Sequence, residues 1–131
     1  MLNKTQVLVL ITLSVAFWAL ATLYIRFLPG AFTSPVQGAI GFVTTFPIAW
    51  LSVVLTRSAA RLSAIQLLPG VAIVGALAMM IDGVMLRWFS AVYSDNQNIV
   101  RLGAAWLLWG YGVSLCIAIF MSISAKAERA P

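Results

Sequence analysis

The chain has 131 residues, 63% of them hydrophobic and only 8% charged, with a formal net charge of +5. A soluble domain is about 45 to 50% apolar and about 25% charged, so this composition leaves too little polar surface to cover a water-facing globule. The basic excess does not point to nucleic acid, because the Lys and Arg side chains are dispersed along the sequence rather than gathered on one face.

Four apolar runs follow one another, at Val7 to Phe27, Val36 to Leu55, Pro69 to Phe89 and Ile99 to Ser122. Each approaches the roughly 20 residues that a helix needs to cross a bilayer. Pro29, Gly30 and Pro35 mark the first break, Arg57 and Arg61 the second, and the polar stretch from Ser94 to Asn98 the third. None of these breaks is long enough for a separate domain. Residues 1–131 are therefore expected to form one all-α unit, a polytopic membrane protein whose four transmembrane helices make an antiparallel bundle with sequential helices side by side. Lys4, Arg57, Arg61, Lys126 and Arg129 fall at one end, against Arg26, Arg87 and Arg101 at the other, which predicts that both termini are cytoplasmic. The first run continues past Ala19, Leu20 and Ala21 and exceeds the roughly 7 to 15 residues of a signal core, so it reads as an uncleaved span.

In the first span Thr12, Ala16, Ala19 and Thr22 form a small-residue stripe ending at Arg26, the expected inward face. The second carries Gly38, Gly41, Thr45, Ala49 and Ser52 in a comparable line, predicted to pack on another helix. Pro47 interrupts that helix, because it cannot donate to the Val43 carbonyl. A kink is expected, with Val43 either offered to an ion or substrate or satisfied by Thr44 or a neighbouring helix.

Pro69 reads as a first-turn residue opening the third span. Val71, Gly75, Ala78, Asp82 and Met85 then share one face. Asp82 stands out, since a carboxylate inside an apolar span is costly unless something offsets it. Arg26, leaning back from the end of the first span, is its expected partner. Such a pair either fixes helix register or leaves a titratable group that carries a proton or coordinates a cation; a third reading is a carboxyl kept neutral by burial. In the fourth span Gly110 is expected to pack closely, and Trp106 and Trp109 either meet a cation or aromatic ligand or anchor the helix at the lipid interface.

The residues that are missing narrow the chemistry. No histidine exists to ligate haem or metal or to act as a general base, and Cys116 has no partner for a disulfide. Asp82, Asp95 and Glu128 fall in span, loop and tail, too scattered for an acid-base pair. A non-enzymatic protein with no cofactor and no metal site is expected.

By size and span count the chain looks like a small multidrug-resistance transporter, but the first-span glutamate of that family has no counterpart here. The stretch from Pro69 to Met121 more closely resembles the small four-helix bacterial membrane proteins of domain of unknown function family 5367. Its Pro69–Gly70 opening, the run Met80, Ile81, Asp82, Gly83, and the sequence from Gly103 to Tyr111 carry that resemblance. It implies a bacterial inner-membrane location and no particular activity. Two functions are expected to compete: a small transporter using Asp82, or an accessory subunit of a larger membrane complex. The partners expected are the lipid bilayer and either a second copy or another membrane protein.

Overall fold

A computed structural model describes residues 1–130. These form five α-helices, α1 (Lys4–Phe27), α2 (Gly30–Thr33), α3 (Pro35–Ala59), α4 (Ala64–Trp88) and α5 (Gln97–Arg129), with one short 3-10 turn at Ser90–Val92. Among the described residues there is no strand. The four long helices are each long and apolar enough to cross a membrane.

Local chemistry sets their ends. Asn3 caps α1 by accepting from the Gln6 amide while the Gln6 side chain accepts from Asn3 N–H, a reciprocal capping box. Ser63 and Gln66 repeat the device at α4. That cap starts α4 five residues earlier than expected and places Pro69 inside the helix rather than in its first turn. Ser34 caps α3, with Pro35 in the first turn, where a missing N–H is harmless. Between α3 and α4 the chain reverses at Arg61, whose φ of 50° lies in the left-handed region. α5 is the longest at 33 residues, about 50 Å at 1.5 Å per residue, and overruns a hydrocarbon core of about 30 Å.

α3 remains helical through Pro47. Thr44 Oγ1 donates to the Ile40 and Gly41 carbonyls and Thr45 Oγ1 to Gly41. These hydroxyls serve the turn before Val43, so Thr44 does not supply the donor that Pro47 removes. Val43 itself faces outward.

The packing order differs from the expected one. α1 packs on α4, α4 on α5 and α5 on α3, whereas the consecutive pair α1 and α3 barely touch, and α3 meets α4 only lightly. The short helix α2 takes up the first connection and packs on α3 and α5. α1 and α4 run parallel: Gln6 meets Gln66 at one end and Trp18 meets Tyr93 toward the other. The result is two parallel pairs, α1/α4 and α5/α3, joined along the α4/α5 seam and open between α1 and α3. Within its apolar stretch α4 is 33% buried and α3 only 17%, which makes α4 the central helix and α3 the outlier.

Two cores hold the seam. Leu10, Val53, Leu67, Val71, Val74 and Ala118 form one, near the end that carries both termini. Ile25, Tyr93, Ile99, Val100 and Leu107 form the other. In the second core Gly103 lets α5 approach α1 closely, since a Cβ there would lie 3.0 Å from Ile25 Cδ1.

Candidate functional site

Asp82 lies on the inward stripe of α4 and is 4% exposed. Aromatic groups from three other segments converge on it. The 3-10 turn after α4 folds Tyr93 back beneath the helix end, where its phenol donates to Asp82 Oδ1. From α5, Tyr111 hydrogen-bonds to Oδ2. Trp18 of α1 completes the set, its indole N–H donating to Tyr93 Oη at 3.2 Å.

The direction of one of these bonds follows from the donor inventory. An indole nitrogen only donates, so the Tyr93 oxygen accepts from Trp18, and the Tyr93 hydrogen goes to Asp82 Oδ1. Burial first, and then the hydrogen bond to Asp82, hold the Tyr93 phenol above its ordinary value, which keeps it in the donor form. Among the described residues Tyr111 bonds to no group besides Asp82. An ionised Asp82 accepts from Tyr111, whereas a carboxyl protonated on Oδ2 donates to it and frees the Tyr111 hydrogen.

The expected Arg26–Asp82 pair does not form. Arg26 Nη1 lies 3.6 Å from Asp95 Oδ2 and donates to the Ala91 carbonyl at 2.9 Å. Arg26 sits in the last turn of α1, and the segment after α4 presents Ala91 and Asp95 at its own level, while Tyr93 from that segment occupies the space over Asp82. The first-span stripe is displaced too. Thr12 and Ala16 are exposed, and the buried side of α1 carries Gln6, Leu10, Ser14, Thr22 and Ile25.

Tyr111 has a second neighbour. It lines a cavity of about 440 Å³ bounded by α1, α3, α4 and α5. Gly41 and Gly75, expected to seat neighbouring helices, border this space instead: a Cβ on either would meet nothing within 4 Å. Ala78 and Thr45 also line it, and Gly110 packs loosely, its Cβ position 3.9 Å from Thr45 Cγ2. A smaller cavity of about 340 Å³ adjoins it beneath α2, bordered by Gly38 and sharing Tyr24, Gly41 and Trp106 with the first.

The two tryptophans of α5 separate. Trp106 turns inward, donates to Thr45 Oγ1 at 3.1 Å, and packs on Tyr24 with ring centroids 5.0 Å apart. Trp109 stays exposed on the outer side, where it donates to the Phe42 carbonyl at 2.9 Å and stacks on Phe42. They therefore do not form one aromatic site.

Tyr93, Tyr111 and Trp18 escaped the sequence reading. A signal was present: a buried tyrosine needs a partner for its hydroxyl, and a buried carboxylate needs donors. At the opposite end Gln6 was missed as well. Its side chain reaches the Ala60 and Arg61 carbonyls and Gln66 Oε1 at 3.2 to 3.3 Å, tying α1 to the α3–α4 turn. Among the described residues no group of three His, Cys, Asp or Glu side chains is placed to hold a metal. No family model, curated protein or solved structure matches the chain.

Proposed function

We propose that the chain is a non-enzymatic, multi-pass protein of the bacterial inner membrane, with both termini cytoplasmic, that binds a membrane-soluble small molecule between α1, α3, α4 and α5 and couples its movement to a proton on Asp82. One observation carries this reading: Tyr111 touches Asp82 on one side and borders the cavity on the other. A cavity of this size falls within the range of about 300 to 1,000 Å³ typical of small-molecule sites. A proton arriving at Asp82 can reverse the Tyr111 hydrogen bond and so change what the cavity wall offers a ligand. The groups facing Asp82 are Tyr93, Tyr111 and, through Tyr93, Trp18; the basic partner expected for it, Arg26, is occupied by Asp95.

The test is transbilayer movement of a fluorescent long-chain alkylamine in proteoliposomes under an imposed pH gradient. Movement faster than in protein-free vesicles is expected, with the pH dependence lost in both Asp82→Asn and Tyr111→Phe. Rates equal to protein-free vesicles would overturn the reading.

The open side between α1 and α3 favours a second reading, an accessory subunit or homodimer in which another membrane helix covers that side. α3 exposes Thr44 there, a polar residue at membrane depth. A cysteine placed at Ile48 in a Cys116→Ser background is expected to crosslink to a second copy or to a partner protein in native membranes under this reading. A chain that stays monomeric in such membranes removes it.

A further inference from the structure

Every polar side chain on the wall of the larger cavity except Tyr24 can be followed to the destination of its hydrogen. Thr44 Oγ1 donates to Ile40 and Gly41, Thr45 Oγ1 to Gly41 at 2.7 Å, Ser52 Oγ to Ile48 at 2.9 Å, Thr56 Oγ1 to Ser52 at 2.8 Å and Ser114 Oγ to Gly110 at 2.8 Å. All are bonds back to the carbonyl three or four residues earlier in the same helix. The Trp106 indole hydrogen goes to Thr45 Oγ1, and Tyr111 gives its own to Asp82 when that carboxyl is ionised. What these wall residues have left is a set of oxygen lone pairs. Tyr24, at the aromatic rim shared with the smaller cavity, is the one wall residue whose phenol hydrogen bonds to no group among the described residues.

We infer that the cavity selects lipophilic hydrogen-bond donors, long-chain amines and alcohols, over molecules of the same shape that only accept. The inference rests on the cavity proposed above as the binding site and assigns its ligand class. A donor meets an oxygen ready to accept, whereas an acceptor must first break one of the existing bonds or reach Tyr24. Asp82 strengthens the preference without touching the ligand: a phenol that donates to a carboxylate is polarised and its oxygen becomes a better acceptor, so Tyr111 is the strongest acceptor on the wall. The entry route fits a ligand dissolved in the bilayer. Leu20, Ile48, Leu51 and Leu55 border the cavity and are exposed on the side where α1 and α3 are apart. Toward the termini the Gln6–Gln66 contacts close the bundle, and toward the other end Tyr24, Phe32 and Trp106 pack together.

The experiment uses the full chain in lipid nanodiscs and four photoreactive diazirine probes of matched alkyl length: a primary amine, a primary alcohol, a methyl ether and a methyl ketone. Labelled residues are mapped by mass spectrometry. The amine and alcohol are expected to label the cavity wall several-fold more than the ether and ketone. Tyr111→Phe is expected to lower alcohol labelling several-fold and leave ether labelling unchanged, and Tyr24→Phe to remove most residual ketone labelling. Gly75→Leu projects into open space and is expected to abolish cavity labelling by all four; Gly41→Leu repeats that test if the first variant does not fold. Equal labelling by alcohol and ether, still abolished by Gly75→Leu, overturns the donor preference and leaves the cavity in place. Labelling of the wall that neither glycine variant changes overturns the cavity as a binding site, and with it the function proposed above.

Discussion

The parallel pair α1/α4 is tied at both ends, by opposite chemistry. Near the termini, neutral amides do the work: Gln6 bridges to Ala60, Arg61 and Gln66, and Gln66 donates in turn to the Met1 carbonyl at 2.9 Å. Near the other end a carboxylate holds two phenols, one of which takes an indole hydrogen. An amide cannot gain or lose a proton near neutral pH, so the first tie has one state. The second has two. Amides at both ends would hold the bundle together in one state; here one end carries an ionisable group, beside a cavity.

The contrast breaks most visibly with Asp82→Ala. Removing the acceptor leaves both phenol donors unpaired in the core, a loss of about 2 to 3 kcal/mol at the usual penalty for stranded buried groups, measurable by denaturant unfolding in detergent micelles. Asp82→Asn keeps an acceptor oxygen and is expected to lose clearly less.

Gln6→Ala tests the fixed end. A loss of about 1 to 2 kcal/mol is expected, independent of pH, because no titratable group takes part.

Alkaline titration sharpens the difference between the ends. The Tyr93 phenol sits above its ordinary value of 10.0 in the folded chain, so the folded state holds that proton more tightly than the unfolded state does. Its contribution is therefore complete below pH 10.0 and declines as pH rises beyond it. Unfolding followed against tyrosinate absorbance is expected to show this loss in the parent chain and a smaller one in Tyr93→Phe, which keeps the Tyr111 phenol on Asp82.

The smallest effect belongs to Arg26→Gln. The Arg26 and Asp95 side chains are 41% and 82% exposed, and an exposed pair contributes about 0 to 1 kcal/mol. In a double-mutant cycle with Asp82→Asn the coupling is expected to be near zero. Strong coupling would restore the ion pair that the structure removes.

Much of the architecture was legible in the residues. Four apolar runs, their polar breaks and the inward stripe of α4 follow from composition and period alone. Helix starts were less legible: the Ser63–Gln66 box outweighs Pro69, because a cap satisfies N–H groups at the start of α4 and proline is tolerated a turn later. The order of packing could not be read, since short connections allow neighbours in sequence but do not compel them, and α2 takes up the link that would have brought α1 against α3. Asp82 was visible as a buried acid because its cost is local. Its partners were not, because Tyr93 and Tyr111 lie 11 and 29 residues away, and neither separation corresponds to neighbouring turns of one helix. The small-residue stripes pointed to the right faces of α3 and α4 but not to their purpose, since glycine that admits a neighbouring helix and glycine that leaves room look alike in a sequence.

The uneven packing has a mechanical consequence. With α1 bound to α4 and α3 bound to α5, the molecule is built like the two covers of a book that share a spine, and any widening of the gap between the outer helices must pivot there. The Asp82–Tyr111 bond crosses that spine, one residue on each cover. In the function proposed above, a single proton on Asp82 acts at the pivot, where a small rotation swings the free edges furthest.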